Sequence, residues 1–189
     1  MGYRVSLTLI ALLFSVAMIW TGILAIKKKR YPLFVKTMVI YVLSVFFLLV
    51  QPAVGLRIQV FVLALALLAI AGHIVVGNFF NYYHRSRHFD RYWHALGSLA
   101  FSLLGYSVLK QAVSHSVFRV VVPKPYTAVV VPAIGISLGC LFEIYEFILD
   151  SVGRPKTKHQ HGLTDTNFDL IANVIGAVIA GIVSVFVSL

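Results

Sequence analysis

The sequence has few charged residues and very few acids. Only 12% of its 189 residues are charged, whereas 60% are hydrophobic, and the mean hydropathy is +0.92. A soluble domain is about 25% charged and about 45–50% apolar, so this composition excludes a water-soluble globular protein. It also excludes a disordered chain, because disorder requires low hydrophobicity. The class that remains is an all-α polytopic integral membrane protein.

Cysteine is almost absent as well. Cys140 is the single cysteine, so no disulfide can form within the chain. Because it lies in an apolar run, we expect a buried structural thiol with no nucleophilic role. The sequence also lacks a serine nucleophile elbow and a Walker-type phosphate loop, which removes two common kinds of catalytic site.

Six apolar stretches have about the length needed to span a bilayer, which is about 20 residues in a helix. They cover residues 5–25, 33–50, 53–76, 93–114, 128–149 and 169–189. Pro52 should end the second helix, since proline cannot continue the helical hydrogen-bond ladder. We therefore predict a bundle of six transmembrane helices that forms a single membrane domain over residues 1–189.

Basic residues are concentrated in alternate loops. The first, third and fifth loops carry 11 of the 16 basic residues, namely Lys27, Lys28, Lys29, Arg30, Lys36, Arg85, Arg87, Arg91, Arg154, Lys156 and Lys158. Cationic loops are retained in the cytoplasm, so we predict that both termini lie outside. The net charge of +10 then reflects contact with anionic lipid. No nucleic-acid-binding motif is present, and we predict membrane lipids, not nucleic acid, as partners.

The acids are confined to the second half of the chain, and the first 89 residues contain none. On the predicted topology all six lie near the cytoplasmic ends of the helices, together with six of the seven histidines. These residues are Asp90, Glu143, Glu146, Asp150, Asp165 and Asp169, with His73, His84, His88, His94, His159 and His161. Ionisable residues at membrane depth are costly, so this clustering indicates a functional site.

Spacing brings several of these side chains together in pairs. Residues three or four apart share one face of a helix. The pairs are Asp90 with His94, Glu143 with Glu146, and Asp165 with Asp169. Asn173 continues the last of these faces one turn deeper into the membrane.

Each pair also has a purely structural interpretation. Thr166-Asn167-Phe168-Asp169 has the form of a capping box, and Asp90 could cap the fourth helix. The two glutamates could instead pair with Arg85, Arg87 or Arg91. In the same way, the aromatic and basic segment over residues 77–88 is either an interfacial segment or a binding lip for an anionic headgroup.

Small residues predict which helices pack most closely. Small residues allow close backbone approach between helices. The fifth predicted helix has Gly135 and Gly139 at a spacing of four, and the sixth has the overlapping pairs Gly176 with Ala180 and Ala177 with Gly181. The fourth predicted helix contains the small residues Ala95, Gly97, Ser98 and Ala100. The first two helices carry no acid and suit a lipid-facing role.

The motifs resemble a known family. The entry to the fourth helix, the paired glutamates and the start of the last helix are similar to those of YjdF-type bacterial inner-membrane proteins and, more loosely, of VanZ-like membrane proteins. The matching residues are Phe89, Asp90, Arg91, His94, Glu143, Glu146, Asp165, Thr166, Asp169, Leu170, Gly176 and Ala177. The resemblance covers about residues 73–181. It implies the bacterial cytoplasmic membrane and a shared polar site, but it brings no established activity.

Our leading functional hypothesis is a metal-dependent hydrolase or transferase that acts on a lipid or polyprenyl headgroup. Carboxylates and imidazoles on facing helices are how helical bundles bind metals. The predicted ligands of a divalent ion, whose identity is open, are Asp90, His94, Glu143, Glu146, Asp165 and Asp169. His73 is the predicted base, and Arg91 is the predicted phosphate clamp.

Two alternatives remain open. The same acids could form the ion path of a transporter, with a homodimer as the transporting unit. The second alternative is a structural or accessory membrane protein, whose acids only pair with loop arginines.

The predicted topology can be tested by labelling introduced cysteines from outside the cell. A cysteine appended after Leu189 should be labelled, whereas a cysteine at Lys28 should be protected. The reverse pattern would overturn the topology and move the predicted site to the outer face.

Overall fold

The computed structural model describes residues 2–86, 88–114, 123–153, 160, 162–187 and 189, and within these residues there is no β-strand. The helices are α1 (Tyr3–Lys27), α2 (Tyr31–Ala53), α3 (Val60–Gly72), α4 (Tyr82–Arg85), α5 (Phe89–Ser114), α6 (Lys124–Gly153) and α7 (Leu163–Phe186). A π-helical segment, His73–Phe79, continues α3. The loop residues Arg87, His115, Arg154, Lys156, Lys158, His159 and His161 lie outside the described residues.

Six helices are long and apolar enough to cross a membrane, which confirms the predicted all-α polytopic fold. They are α1, α2, α3 with its π-helical extension, α5, α6 and α7. The chain groups into two compact units, Met1–Phe89 and Asp90–Leu189. Each unit is described by itself, and the single membrane domain stays a prediction.

The third span begins later than predicted. α2 continues through Pro52 to Ala53, because a proline so close to the end of a helix removes few of the hydrogen bonds that hold the helix together. Gly55, at φ 81°, then reverses the chain, and the amide of Leu56 donates to the carbonyl of Gln51 over 2.8 Å. This glycine-terminated C-cap occupies the residues predicted to start the third span, so that helix begins at Val60.

All three helices of the second unit begin earlier than predicted, since α5 starts at Phe89, α6 at Lys124 and α7 at Leu163. Asp90 lies within the first turn of α5, where a carboxylate stabilises a helix start. The N-cap of α7 is Gly162, so Asp169 lies almost two turns inside the helix and is not a capping residue. The capping interpretation of Asp169 is therefore wrong, whereas that of Asp90 stays a prediction.

In the first unit, an arginine closes the π-helical segment. The guanidinium of Arg30 donates to the carbonyls of Phe79 and Asn78, each over 2.9 Å. Asn78 in turn donates through its side chain to the carbonyl of His73. The π-helical turn leaves carbonyls without their usual partners, and these contacts satisfy them. Arg30 is therefore a structural residue of this unit.

In the second unit, glycines bring the helix backbones close together. Gly176 of α7 faces the backbone of Ala95 on α5, and a Cβ atom there would overlap the carbonyl oxygen of Ala95 and lie 2.8 Å from its carbonyl carbon. Gly139 of α6 packs against the Asn173 side chain of α7. The predicted close packing of these three helices is therefore confirmed, and it fixes the position of their polar residues.

A matched pair of substitutions tests this packing. Gly176→Ala should destabilise the folded protein by about 1–3 kcal/mol, because the added methyl group forces apart two helix backbones. Gly97→Ala on α5 makes the same chemical change where nothing lies within 4 Å of the new atom. Thermal unfolding in detergent should show a lower Tm for Gly176→Ala alone, and equal Tm values would contradict the close contact.

Candidate metal centre

The candidate site is centred on the imidazole of His94. His94 lies in the second turn of α5 and is buried. Its Nε2 atom lies 3.4 Å from Oδ1 of Asp90 and 3.6 Å from Oε1 of Glu143. The Phe142 ring packs edge-on against the imidazole, with 5.6 Å between ring centroids. One imidazole nitrogen therefore faces carboxylates from two different helices.

Five residues form two overlapping groups of metal-ligand atoms that share His94. In each group, one oxygen or nitrogen per residue lies within 4.8 Å of the others. The groups are Asp90, His94 and Asp169, and His94, Glu143 and Glu146. Three helices contribute these residues, and the five side chains converge as predicted.

Helical spacing explains why these side chains meet. Asp90 lies one turn before His94, and Glu143 lies one turn before Glu146, so each pair lies along one helix face. On α6 the buried face continues from Gly135 and Gly139 to Glu143 at steps of four. The same face that packs against α7 therefore carries Glu143 into the site.

Several polar atoms of the site are buried without a hydrogen-bond partner among the residues that the structure describes. They are Oε1 of Glu143, Oδ1 of Asp169, Nδ2 of Asn173 and Nε of Arg91. Glu143, Asp169 and Asn173 are each at most 5% exposed. An unsatisfied buried polar group costs about 1–3 kcal/mol, and more if it is charged. Carboxylate oxygens in this state fit a cation, while the amide and guanidinium nitrogens fit an acceptor oxygen.

Arg91 does not neutralise the neighbouring acids. Its guanidinium lies 4.0 Å from the centroid of the Phe168 ring, in a cation–π contact, and none of its interactions within the described residues is an ion pair. The interpretation in which Arg91 pairs with the glutamates is therefore wrong. Arg85 belongs to the first unit, and Arg87 lies outside the described residues.

Gln160, two residues before the N-cap of α7, donates three hydrogen bonds to α6. Its backbone amide donates to Oδ2 of Asp150 over 2.9 Å. Its side-chain amide donates to the carbonyl of Glu143 over 3.1 Å and to Oε2 of Glu143 over 3.2 Å. The sequence analysis missed this residue, because a lone glutamine between two histidines carries no periodic signal.

Ser98 was also missed. Its hydroxyl donates to the backbone carbonyl of Asn173 over 2.7 Å and so ties α5 to α7 beside the site. The signal for it was present, because Ser98 follows His94 at a spacing of four.

Two other predicted site residues lie elsewhere. Asp165 is half-buried in the first turn of α7 and is in neither ligand group. His73 belongs to the first unit, where Nε2 lies 3.2 Å from Nζ of Lys36 and Nδ1 lies 2.5 Å from the Tyr83 hydroxyl. Their roles as ligand and base stay predictions.

Cys140 is exposed and not buried as predicted. Gly139 and Glu143 lie on the face of α6 that packs against α7, and Cys140 lies about 100° around the helix from Gly139. The apolar neighbours of Cys140 in the sequence therefore led to a wrong prediction of its burial.

The comparison with known proteins agrees with a membrane protein that has no established activity. A family model described as "Predicted membrane protein (DUF2238)" matches residues 6–188. A protein of Thermotoga maritima described as an uncharacterized protein is 33% identical over 104 residues, which are 55% of this chain and 51% of that protein. The alignment thus covers about half the length of this relative. No solved structure matches the chain.

A double-mutant cycle tests whether His94 and Glu143 interact in the folded protein. We expect His94→Phe and Glu143→Gln to be coupled by about 0.5–3 kcal/mol, as residues in one network are. The measurement is thermal stability in detergent with chelator present, so that no metal contributes. His94→Phe combined with Ser107→Ala is the control and should be additive, because Ser107 lies thirteen residues further along α5, about 20 Å away, and its hydroxyl donates within its own helix. Additivity in both pairs would contradict the shared network.

Proposed function

The chain belongs to the DUF2238 family of predicted membrane proteins, and we propose that it is a metal-dependent hydrolase or transferase that acts on a lipid or polyprenyl headgroup. The observation that carries this proposal is the pair of ligand groups sharing His94, with buried carboxylate oxygens that have no hydrogen-bond donor in the described residues. The proposal keeps the kinship with YjdF-type and VanZ-like proteins, which rests on the motif residues.

The residues present fit a divalent cation. Carboxylates and one imidazole are ligands that Mg²⁺, Mn²⁺, Fe²⁺ and Zn²⁺ accept in different proportions, so the donor set leaves the metal open. Asp90, His94, Glu143, Glu146 and Asp169 would hold it, with Asp165 as a further candidate. A bound ion would polarise a phosphoryl or acyl oxygen and lower the pKa of a bound water.

The position of the site favours a headgroup as substrate. Asp90 and His94 lie in the first turns of α5, and Asp169 lies six residues into α7. Glu143 lies ten residues before the end of α6, which is about 15 Å along the helix. Because the ligand atoms lie within 4.8 Å of His94, they share one depth near the starts of α5 and α7, and α6 extends beyond them. A site near the ends of two spans is within reach of a lipid headgroup.

Arg91 is the proposed contact for an anionic headgroup. Its guanidinium lies over the Phe168 ring, and guanidinium groups bind phosphate through two parallel hydrogen bonds. Arg91 follows Asp90 on α5, while Phe168 precedes Asp169 on α7. The clamp is thus built on the same two helices as the first ligand group. His73 remains the proposed base.

Localisation and partners complete the proposal. We place the protein in the bacterial cytoplasmic membrane with both termini outside, and with membrane lipids as its partners. The basic loops then lie beside the anionic inner leaflet, where each Lys or Arg contributes about 1 kcal/mol. A homodimer is compatible with this arrangement.

Transport is the second candidate function. Buried hydroxyl groups do continue from the site into the other half of the second unit, at Ser102, Ser107 and Ser184. Each donates to a carbonyl of its own helix, three or four residues earlier. Because these hydroxyls donate within their own helices, they favour a role in helix packing and not in an ion path. Solute-dependent flux in liposomes would be needed to support a transporter.

Metal analysis of a matched pair of variants tests the proposal. Glu143→Gln keeps the shape of the side chain but loses the charge that a hard cation needs, so the purified variant should be folded and lack metal. Asp150→Asn removes a carboxylate from the same helix outside both ligand groups, and should retain metal. At 100 times its Kd, a metal stabilises the fold by about 2.7 kcal/mol, so chelator should lower the Tm of the wild type and not of Glu143→Gln.

A different result would favour the structural alternative. If Glu143 only pairs with His94, Glu143→Gln should lower the Tm, while metal content and chelator response are absent in every variant. Wild-type protein without metal and without a chelator response would rule out the metal-dependent mechanism.

A further inference from the structure

A groove opens beside the candidate metal centre, between α6 and α7. Its volume is about 460 Å³, within the range of about 300–1,000 Å³ that ligand pockets occupy. α6 contributes Cys140, Glu143, Ile144 and Phe147, and α7 contributes Leu163, Thr166 and Leu170. Both sets recur at helical spacing, so two stripes of side chains face one another across the groove.

The lining is mostly apolar, with its few polar groups in one place. The Glu143 carboxylate and the Gln160 amide lie 3.2 Å apart, and Thr166 is on the facing helix. Cys140 and Leu170 line the groove on one side of these polar groups, and Phe147 and Leu163 line it on the other. An amphiphile fits this lining, with its polar end at Glu143 and its hydrocarbon against the apolar side chains.

The groove and the proposed headgroup clamp lie on opposite sides of Asp169. Successive residues of a helix are about 100° apart, so Phe168 is on one flank of Asp169, and Leu170 and Thr166 are on the other. Arg91 contacts Phe168, and Glu143 belongs both to a ligand group and to the groove wall. The ligand groups therefore lie between a cationic side chain and an apolar groove.

We propose that this groove binds the hydrocarbon chain of an anionic membrane lipid, whose phosphate-bearing headgroup lies at the Asp90–His94–Glu143 site. The occupant is a lipid chain because both walls are membrane-spanning helices, which hydrocarbon surrounds. Charge complementarity supports an anionic head, since Arg91 has no ion-pair partner among the described residues of its unit. The inference rests on the proposed function for the headgroup, while the groove alone accounts for the chain.

Photo-crosslinking in lipid nanodiscs tests the groove directly. The full chain is reconstituted in phosphatidylcholine nanodiscs with hexadecyl phosphate that carries a diazirine in its chain. We expect saturable crosslinks in the α6 and α7 peptides that line the groove, and competition by unlabelled hexadecyl phosphate but not by inorganic phosphate. Crosslinks spread evenly over all exposed helix faces, without saturation, would overturn the proposal.

Two tryptophan variants separate the groove from general lipid contact. Leu170→Trp fills the groove and should lower crosslinking about tenfold, because the chain loses its burial there. Ile171→Trp adds the same ring at the next residue, which is exposed and does not line the groove, and should leave crosslinking unchanged. Equal crosslinking in the two variants would overturn the proposal.

A second modification covers the case in which Leu170→Trp does not fold. Cys140 is the single cysteine and lines the groove, so a benzyl methanethiosulfonate can fill it in folded wild-type protein. The mixed disulfide that Cys140 forms, with release of methanesulfinate, should block crosslinking as the tryptophan does, and unchanged crosslinking after complete modification would count against the groove.

Chelator distinguishes this proposal from the metal-dependent mechanism. Chain binding depends on burial in the groove, so crosslinking to α6 and α7 should persist with chelator present. Saturable crosslinking in a protein that holds no metal would remove the proposed chemistry and keep the lipid site. Metal binding without saturable crosslinking would remove the lipid site and keep the proposed chemistry.

Discussion

The close approach of α7 to α5 and α6 determines the chemistry of the second unit. Gly176 lies against the backbone of Ala95, with no side chain between the two helices, and Gly139 leaves room for the Asn173 side chain. The same approach brings carboxylates from all three helices within 4.8 Å of His94. Packing and electrostatics therefore oppose one another, because the tighter the contact, the closer the like charges. A cation at the centre would reduce this repulsion, because a single imidazole provides at most one positive charge among four carboxylates.

The faces of the helices could be predicted from the sequence, whereas their ends and rotations could not. Spacing alone predicted that Asp90 shares a face with His94, and Glu143 with Glu146. The starts of α3 and α7 were missed by several residues, because apolar content does not locate a turn, whereas Gly55 and Gly162 do so through their backbone conformation. That both pairs meet at His94 depends on how each helix is rotated about its axis. Rotation is set by contacts such as Gly176 against Ala95, which only the folded chain defines.

The two units satisfy their polar groups in different ways. In the first unit, Arg30 and Asn78 donate to backbone carbonyls at the π-helical segment, so the hydrogen bonds complete a helix end. In the second unit, the polar side chains face one another, and several atoms keep no partner among the described residues. Unsatisfied groups at this depth are expensive to maintain. The first pattern is typical of structural polar residues, and the second is typical of a site that exchanges ligands.

The absence of acids from the first 89 residues also matters for biosynthesis. Along this sequence the three spans without acids precede the three that carry them, so those spans are translated before Asp90. Lys and Arg in the loops orient such spans, and acidic residues contribute little to orientation. The helices that carry Asp90, Glu143 and Asp169 are less favourable to insert, and they follow once an oriented, acid-free part of the protein is already in the bilayer. The helices that are least favourable to insert are therefore translated last.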